Sequence, residues 1–217
     1  MRVEIWSDLI CPWCGLGQHR LEQALQQLGR KDVEVVHRSY QLDPAAPAQT
    51  RSVREMLAKK YGASEAQIES MTGRVERLAK ADGLQPYRVG DNRVGNTALA
   101  HQFAAWAGTQ GKGREAWKLL YATYFGEGGD IFDAAALAAL APKLGLDAEG
   151  ARAALAEGRF AAQVEADARE AAAMGSSGVP FIVIDRRYAI EGAQPTELML
   201  QALQAASAET SGQISRS

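Results

Sequence analysis

Apolar and polar residues alternate at the start of the chain, where Arg2-Val3-Glu4-Ile5-Trp6 sets β-forming residues among polar neighbours and Ser7-Asp8 breaks the run. A period of two predicts a first strand at 2–6. The period then lengthens. Leu16, Leu21, Ala24, Leu25 and Leu28 recur at mostly three- and four-residue spacing between Pro12 and Leu28, and Gly29 follows them. That pattern predicts an amphipathic helix with its stop. From Val33 to Tyr40 the chain is rich in β-formers again, closed by Asp43-Pro44-Ala45-Ala46-Pro47, so a strand–helix–strand unit opens the chain.

Between about 50 and 175 the pattern is helical throughout, alanine-rich and divided by glycines, with no convincing strand. The periodicity predicts helices at 51–61, 64–82, 97–108, 112–126, 133–144, 147–156 and 159–174. Gly62, Gly83, Gly108, Gly145 and Gly175 stand where stops are wanted. Asp147 is a plain N-cap candidate, with Gly150 where a capping box would need Glu or Gln. The alanine richness reads as close-packed helices with small residues at their contacts.

After Gly175-Ser176-Ser177-Gly178, the run Val179–Asp185, a turn at Arg186-Arg187 and the run Tyr188–Gly192 predict a hairpin. Pro195 then opens a last helix anchored by Leu198, Leu200 and Leu203, and the chain turns polar from Ser207. The order is therefore β-α-β, a helical block, then β-β-α. This predicts an α/β fold in which 1–48 and 176–207 form one core, 49–175 is an all-helical insertion, and 208–217 is a flexible tail.

Composition narrows what such a fold could do. With 217 residues, 47% hydrophobic, and a net charge of −2, the chain can bury a core without staples and has no basic block to attract nucleic acid. No apolar run approaches the ~18 residues of a membrane span, and Met1-Arg2-Val3-Glu4-Ile5-Trp6 has no leader pattern. A cytoplasmic protein without membrane or nucleic-acid partners is expected, as monomer or homodimer.

The conspicuous chemistry is Cys11-Pro12-Trp13-Cys14, which contains the chain's only two cysteines and lies between the first strand and the first helix. A C-x-x-C pair in that position is the layout of a redox centre in which one thiolate attacks a disulfide and the other resolves the mixed disulfide. Cys11, at the helix start, faces unpaired N–H groups and the positive end of the helix dipole, and Cys14 lies further in. Pro12 costs no hydrogen bond there. Cys11 is therefore the expected nucleophile and Cys14 the resolving thiol. Trp13 either covers the disulfide or contacts a partner, or its indole packs on the helical block. Pro-Trp supplies no cation, and Asp8 would oppose a nearby thiolate, so the expected potential lies between roughly −270 and −120 mV. A zinc site is disfavoured because His19, His37 and His101 are scattered. Inert cysteines fit a strand–loop–helix position poorly, no base is identifiable for a Cys/His nucleophile, and His19 reads as a surface residue.

Pro180 opens a core strand in Gly178-Val179-Pro180-Phe181, which a proline can do simply because it lacks an N–H. Together with Ser7-Asp8-Leu9-Ile10-Cys11-Pro12-Trp13-Cys14, Asn96-Thr97 with Ala100-His101, and Gly192-Ala193-Gln194-Pro195, this segment resembles the DsbA-type branch of the thioredoxin superfamily. The likeness is to the FrnE-like group, related to 2-hydroxychromene-2-carboxylate isomerases and kappa-class glutathione transferases, and spans nearly the whole chain. The resemblance implies a thioredoxin-like fold with a helical insertion and a cis bond between Val179 and Pro180 facing the cysteines. It implies catalysis by Cys11 and Cys14 and substrate binding by Pro12, Trp13, Val179 and Pro180, the backbone at Val179 pairing with an extended substrate. Asn96 and His101 are candidate site-lining residues, though an N-cap and a packed histidine account for them more plainly. The isomerase and transferase relatives usually carry serine at the position of Cys11. A thiol–disulfide oxidoreductase acting on protein or small-molecule disulfides is thus favoured over a glutathione-dependent isomerase of an aromatic or polyketide-like molecule. No cofactor or metal is expected, with glutathione as a candidate co-substrate.

Overall fold

The computed structural model describes residues 1–214. The strand–helix–strand unit is β1 (Arg2–Ser7), α1 (Pro12–Leu28) and β2 (Glu34–Ser39). There follow β3 (Arg51–Ser52), α2 (Val53–Tyr61), α3 (Glu65–Ala81), β4 (Arg93–Val94), α4 (Ala98–Thr109) and α5 (Gly113–Tyr121). The helical run continues through α6 (Ala134–Leu140), α7 (Ala148–Ala156) and α8 (Ala161–Ala173), and the chain ends with β5 (Phe181–Ile184), β6 (Tyr188–Glu191) and α9 (Thr196–Ile214).

The two ends of the chain share one sheet of order β2-β1-β5-β6. β1 runs parallel to β2, with Ile5 opposite His37, and antiparallel to β5, with Ile5 opposite Ile182. A central strand needs apolar side chains on both faces. Val3 and Ile5 pack under Leu21, Met199 and Leu203 of α1 and α9, while Trp6 meets Phe181, Val183 and Ala171 of α8 on the opposite face. On that second side the buried Glu4 carboxylate is bonded by Arg38 (2.8 Å) and by Arg186, so its charge is partnered. The β5–β6 turn takes left-handed conformations at Asp185 and Arg186, one residue earlier than the sequence suggests, and Asp185 Oδ1 accepts the Arg2 N–H at 2.6 Å. This is the expected thioredoxin-like α/β arrangement with a helical insertion.

The insertion departs from expectation in several places. β3 and β4 form a two-residue antiparallel ladder, Arg51 opposite Val94, in a region read as strand-free. Ser52 and Ser64 carry full capping boxes with Glu55 and Gln67, which fix the starts of α2 and α3. The expected helix at 112–126 passes from α5 into a π-helical turn at Ala122–Glu127. The one at 133–144 ends at Leu140 and tightens into a 3-10 turn at Ala141–Leu144, since Pro142 has no N–H with which to continue the α-helix. Gly108 is not a stop but lies inside α4, where its Cα would be 3.2 Å from a Cβ on Gly113, a close approach of α4 and α5. Asp147 caps α7 as expected, accepting N–H bonds from Glu149 and Gly150. In the expected tail 208–217, residues up to Ile214 continue α9 and 215–217 lie outside the described residues.

Candidate active site

The turn from β1 into α1 presents the cysteine pair. Cys11 is the N-cap of α1, with extended backbone, and Pro12 occupies the first turn. The Cys11 carbonyl accepts N–H bonds from Cys14 (3.0 Å) and Gly15 (3.3 Å), closing the first helical turn around the motif. Cys11 is 5% exposed and Cys14 is fully buried, and both thiols are free. They belong to the same buried cluster as Phe103, Trp117 and Phe125, so the motif sits where the insertion's core meets the sheet. Burial pushes the Cys14 thiol well above the ordinary range, and the neighbouring Cys11 sulfur adds to the rise.

Pro180 is buried, and the Val179–Pro180 peptide bond is cis. The Cys11 thiol points at the Val179 carbonyl, 3.9 Å away. Gly17 makes this approach possible, because a Cβ there would lie 2.8 Å from Pro180 Cγ. Trp13 packs on the insertion's core cluster, with the Arg74 guanidinium 5.8 Å from its ring centroid, and it also forms part of the cavity wall beside Cys11.

Of the remaining expected residues, His101 is wholly buried, and its Nε2–H donates to Asp8 Oδ1 at 3.2 Å while Nδ1 has no partner among the described residues. Asn96 does not line the site. Its Oδ1 accepts the Ala98 N–H (2.9 Å) at the start of α4, and its Nδ2 donates to the carbonyls of Pro44 (3.2 Å) and Ala46 (3.0 Å), which holds the loop after β2. His19 is not a plain surface residue: partly buried, it donates from Nε2 to the Asp82 carbonyl at 2.9 Å, beside the Arg20–Asp82 ion pair. No group of three or more His, Cys, Asp or Glu among the described residues is arranged to hold a metal ion.

Two residues at the site, Tyr87 and Arg74, escaped the sequence reading, and Asp8, expected only to oppose a nearby thiolate, ties the motif in place. Asp8 is fully buried: its Oδ2 accepts the Leu42 N–H at 2.7 Å, and its carbonyl accepts from Cys11 N–H and the Tyr121 hydroxyl, each at 3.2 Å. It thus ties the motif to α4, α5 and the loop after β2. Tyr87 donates its hydroxyl to the Pro12 carbonyl at 2.6 Å, and burial raises that phenol well above its usual range. Only Asp8 had a local signal, a carboxyl just before the motif; Tyr87 and Arg74 reach it from distant parts of the chain.

In front of Cys11 lies a cavity of about 780 Å³ bounded by the motif, the loop after β2, α2, α3 and the π-helical turn. A family model described as the DSBA-like thioredoxin domain matches residues 2–204. The chain is 43% identical to a probable DsbA oxidoreductase of known structure from Streptomyces coelicolor, with 96% of this chain and 91% of that one covered and a TM-score of 0.91. More distant folds include a 2-hydroxychromene-2-carboxylate isomerase, 16% identical, with 99% of each chain covered and a TM-score of 0.72. A cytosolic disulfide reductase, DsbM, from Pseudomonas aeruginosa with GSH is 18% identical, with 99% of each chain covered and a TM-score of 0.65.

Proposed function

This chain belongs to the DSBA-like thioredoxin domain family of disulfide oxidoreductases, and from that premise we propose that it is a thiol–disulfide oxidoreductase with Cys11 as nucleophile and Cys14 as resolving thiol. The carrying observation is the unequal placement of the two sulfurs. Cys11 stands at the helix N-cap and lines the cavity, whereas Cys14 is fully buried behind it. The Cys11 thiolate attacks one sulfur of a substrate disulfide, the substrate S–S bond breaks, and one thiolate leaves. Burial and the Cys11 sulfur hold the Cys14 proton in the free protein. Once Cys11 is tied up as a mixed disulfide its charge is gone, which makes Cys14 easier to ionise. Cys14 then attacks Cys11, the second substrate thiol departs, and two electrons have passed from the dithiol to the substrate.

In this reading Val179 offers its main chain to an extended substrate, with Pro180 fixing the segment and Pro12 and Trp13 contacting the bound molecule. Residues 1–48 and 176–207 act as the core that carries the reactive pair, and 49–175 supplies the cavity's other walls. Glutathione is a candidate co-substrate. Both cysteines being spent in one motif supports a cytoplasmic setting. Cys11→Ser should abolish reduction of oxidised glutathione, while Cys14→Ser should accumulate a protein heavier by one substrate thiol in intact mass spectrometry. Turnover surviving in Cys11→Ser would defeat the reading. The apolar cavity also suits a glutathione-assisted isomerase of an aromatic molecule; its signature would be turnover indifferent to Cys14→Ser.

A further inference from the structure

The cavity in front of Cys11 has two chemically distinct parts. Its walls are apolar: Val53 and Leu57 from α2, Val75 from α3, Val89 and Val94 from the segment between α3 and α4, and Phe125 from the π-helical turn. At about 780 Å³ it falls within the roughly 300–1,000 Å³ typical of small-molecule sites. Four large hydrophobic side chains are conspicuously exposed among the described residues, and three of them, Leu42 (48%), Tyr61 (58%) and Met71 (44%), line this cavity. Such clustering marks a binding surface, whereas scattered exposed apolar residues do not.

The second part is cationic. Arg51, Lys59, Lys60 and Arg74 line the cavity against a single acid, Asp43. Among the described residues none of these four cations forms an ion pair, although Arg2, Arg20, Arg30, Arg38, Arg54 and Arg114 all do. Glu55, the carboxylate in Coulomb reach of Arg51, is taken up by the Ser52 capping box. Unpaired positive charge around one cavity, on a chain whose net charge is −2, is a local arrangement. Arg74 lies over Trp13, which places one of these cations against the motif itself.

We propose that the substrate of Cys11 is a small amphipathic anionic disulfide, with an apolar aryl or alkyl body in the cavity and a carboxylate against Arg74 and the α2 lysines. The proposal rests on the redox reading above and adds the substrate class. Cys11 forms a bond to one sulfur of this molecule and the other half leaves as an anionic thiolate. Cys14 then releases the first half, leaving the Cys11–Cys14 disulfide and two reduced substrate thiols.

The test is the second-order rate at which the reduced protein reacts with three disulfides: para-carboxybenzyl, para-aminomethylbenzyl and oxidised glutathione. Each rate is divided by that of the same disulfide with dithiothreitol, which removes intrinsic reactivity. The carboxybenzyl compound should exceed both others by about ten-fold, and the gap should shrink at high salt. Arg74→Gln and the Lys59→Gln/Lys60→Gln pair should each narrow the carboxylate-to-amine ratio, read on variants whose circular dichroism matches the parent. Equal normalised rates for carboxylate and amine, or a preference that survives both variants, would overturn the anionic half of the proposal. Oxidised glutathione reacting faster than the carboxybenzyl compound would overturn the apolar half. No reaction with any of the three would instead sink the redox reading itself.

Discussion

Asp8 shows how much of this site depends on single buried polar groups. A carboxylate removed from water costs several kcal/mol or more unless it is partnered. Asp8 meets that demand with His101 on one oxygen and the Leu42 N–H on the other, at 3.2 and 2.7 Å. His37 is the opposite case. Its two ring nitrogens are sequestered without partners among the described residues, although part of the residue reaches solvent, and its ring stacks on Trp117 at 5.4 Å. Burial drives its pKa down to about 3, with the charge of Glu22 pulling upward and Arg114 and Lys118 pulling downward. The unfolded imidazole titrates near 6.5, so below that pH the unfolded chain binds the extra proton. Stability from the neutral ring is therefore full above pH 6.5 and is lost as the pH falls from there toward about 3. The slope should approach about 1.4 kcal/mol per pH unit. His37→Phe keeps the stack and removes the titration, so urea unfolding of that variant should lose less stability across this window than the parent. An unchanged pH profile would contradict this assignment. The cysteines were legible in sequence because their chemistry is local. The partners of His101, Tyr87 and Arg74 were not, since each meets the motif from far along the chain.

Among the elements, α1 shows most clearly how sequence and structure part company. Gly15 and Gly17 look like defects in an otherwise good helix, each costing about 1 kcal/mol relative to alanine. In the fold they are clearances, Gly15 for the Tyr87 hydroxyl and Gly17 for the Pro180 ring. Gly17→Ala would gain the propensity but bring its Cβ within 2.8 Å of Pro180 Cγ, against a proline ring that has little freedom to turn aside. A net destabilisation of about 1–3 kcal/mol is expected from overpacking, measurable by urea unfolding. A stabilised Gly17→Ala would mean that Pro180 yields easily and does not bear on α1. Periodicity located the helices of the insertion well, because each buries one apolar face. It gave no sign of the β3–β4 ladder, whose two residues per strand carry no period, nor of the π-helical turn after α5, whose apolar spacing resembles that of an α-helix.

For the whole molecule, the decisive feature is that the chain leaves its sheet after β2 and returns to it at β5, so that the helical run between is one excursion from the sheet. The insertion's core absorbs Cys11 and Cys14 into its own buried cluster, and the cavity opens at the seam. The β-α-β and β-β-α ends, and the need for them to share a sheet, were readable from hydrophobic period and turn residues. The covering of the sheet by α8, which the sequence assigns to the inserted run, was not, because a helix's apolar face does not reveal its partner. The central claim is that this architecture holds a working dithiol. The most direct measurement is the fraction of Cys11–Cys14 disulfide in glutathione buffers of graded ratio, quantified by thiol labelling. The proposed dithiol cycle, set between the thioredoxin and DsbA values, predicts one reversible two-electron transition between roughly −270 and −120 mV. A pair that forms no internal disulfide at any ratio, with Cys11 held only as a glutathione adduct, would contradict it.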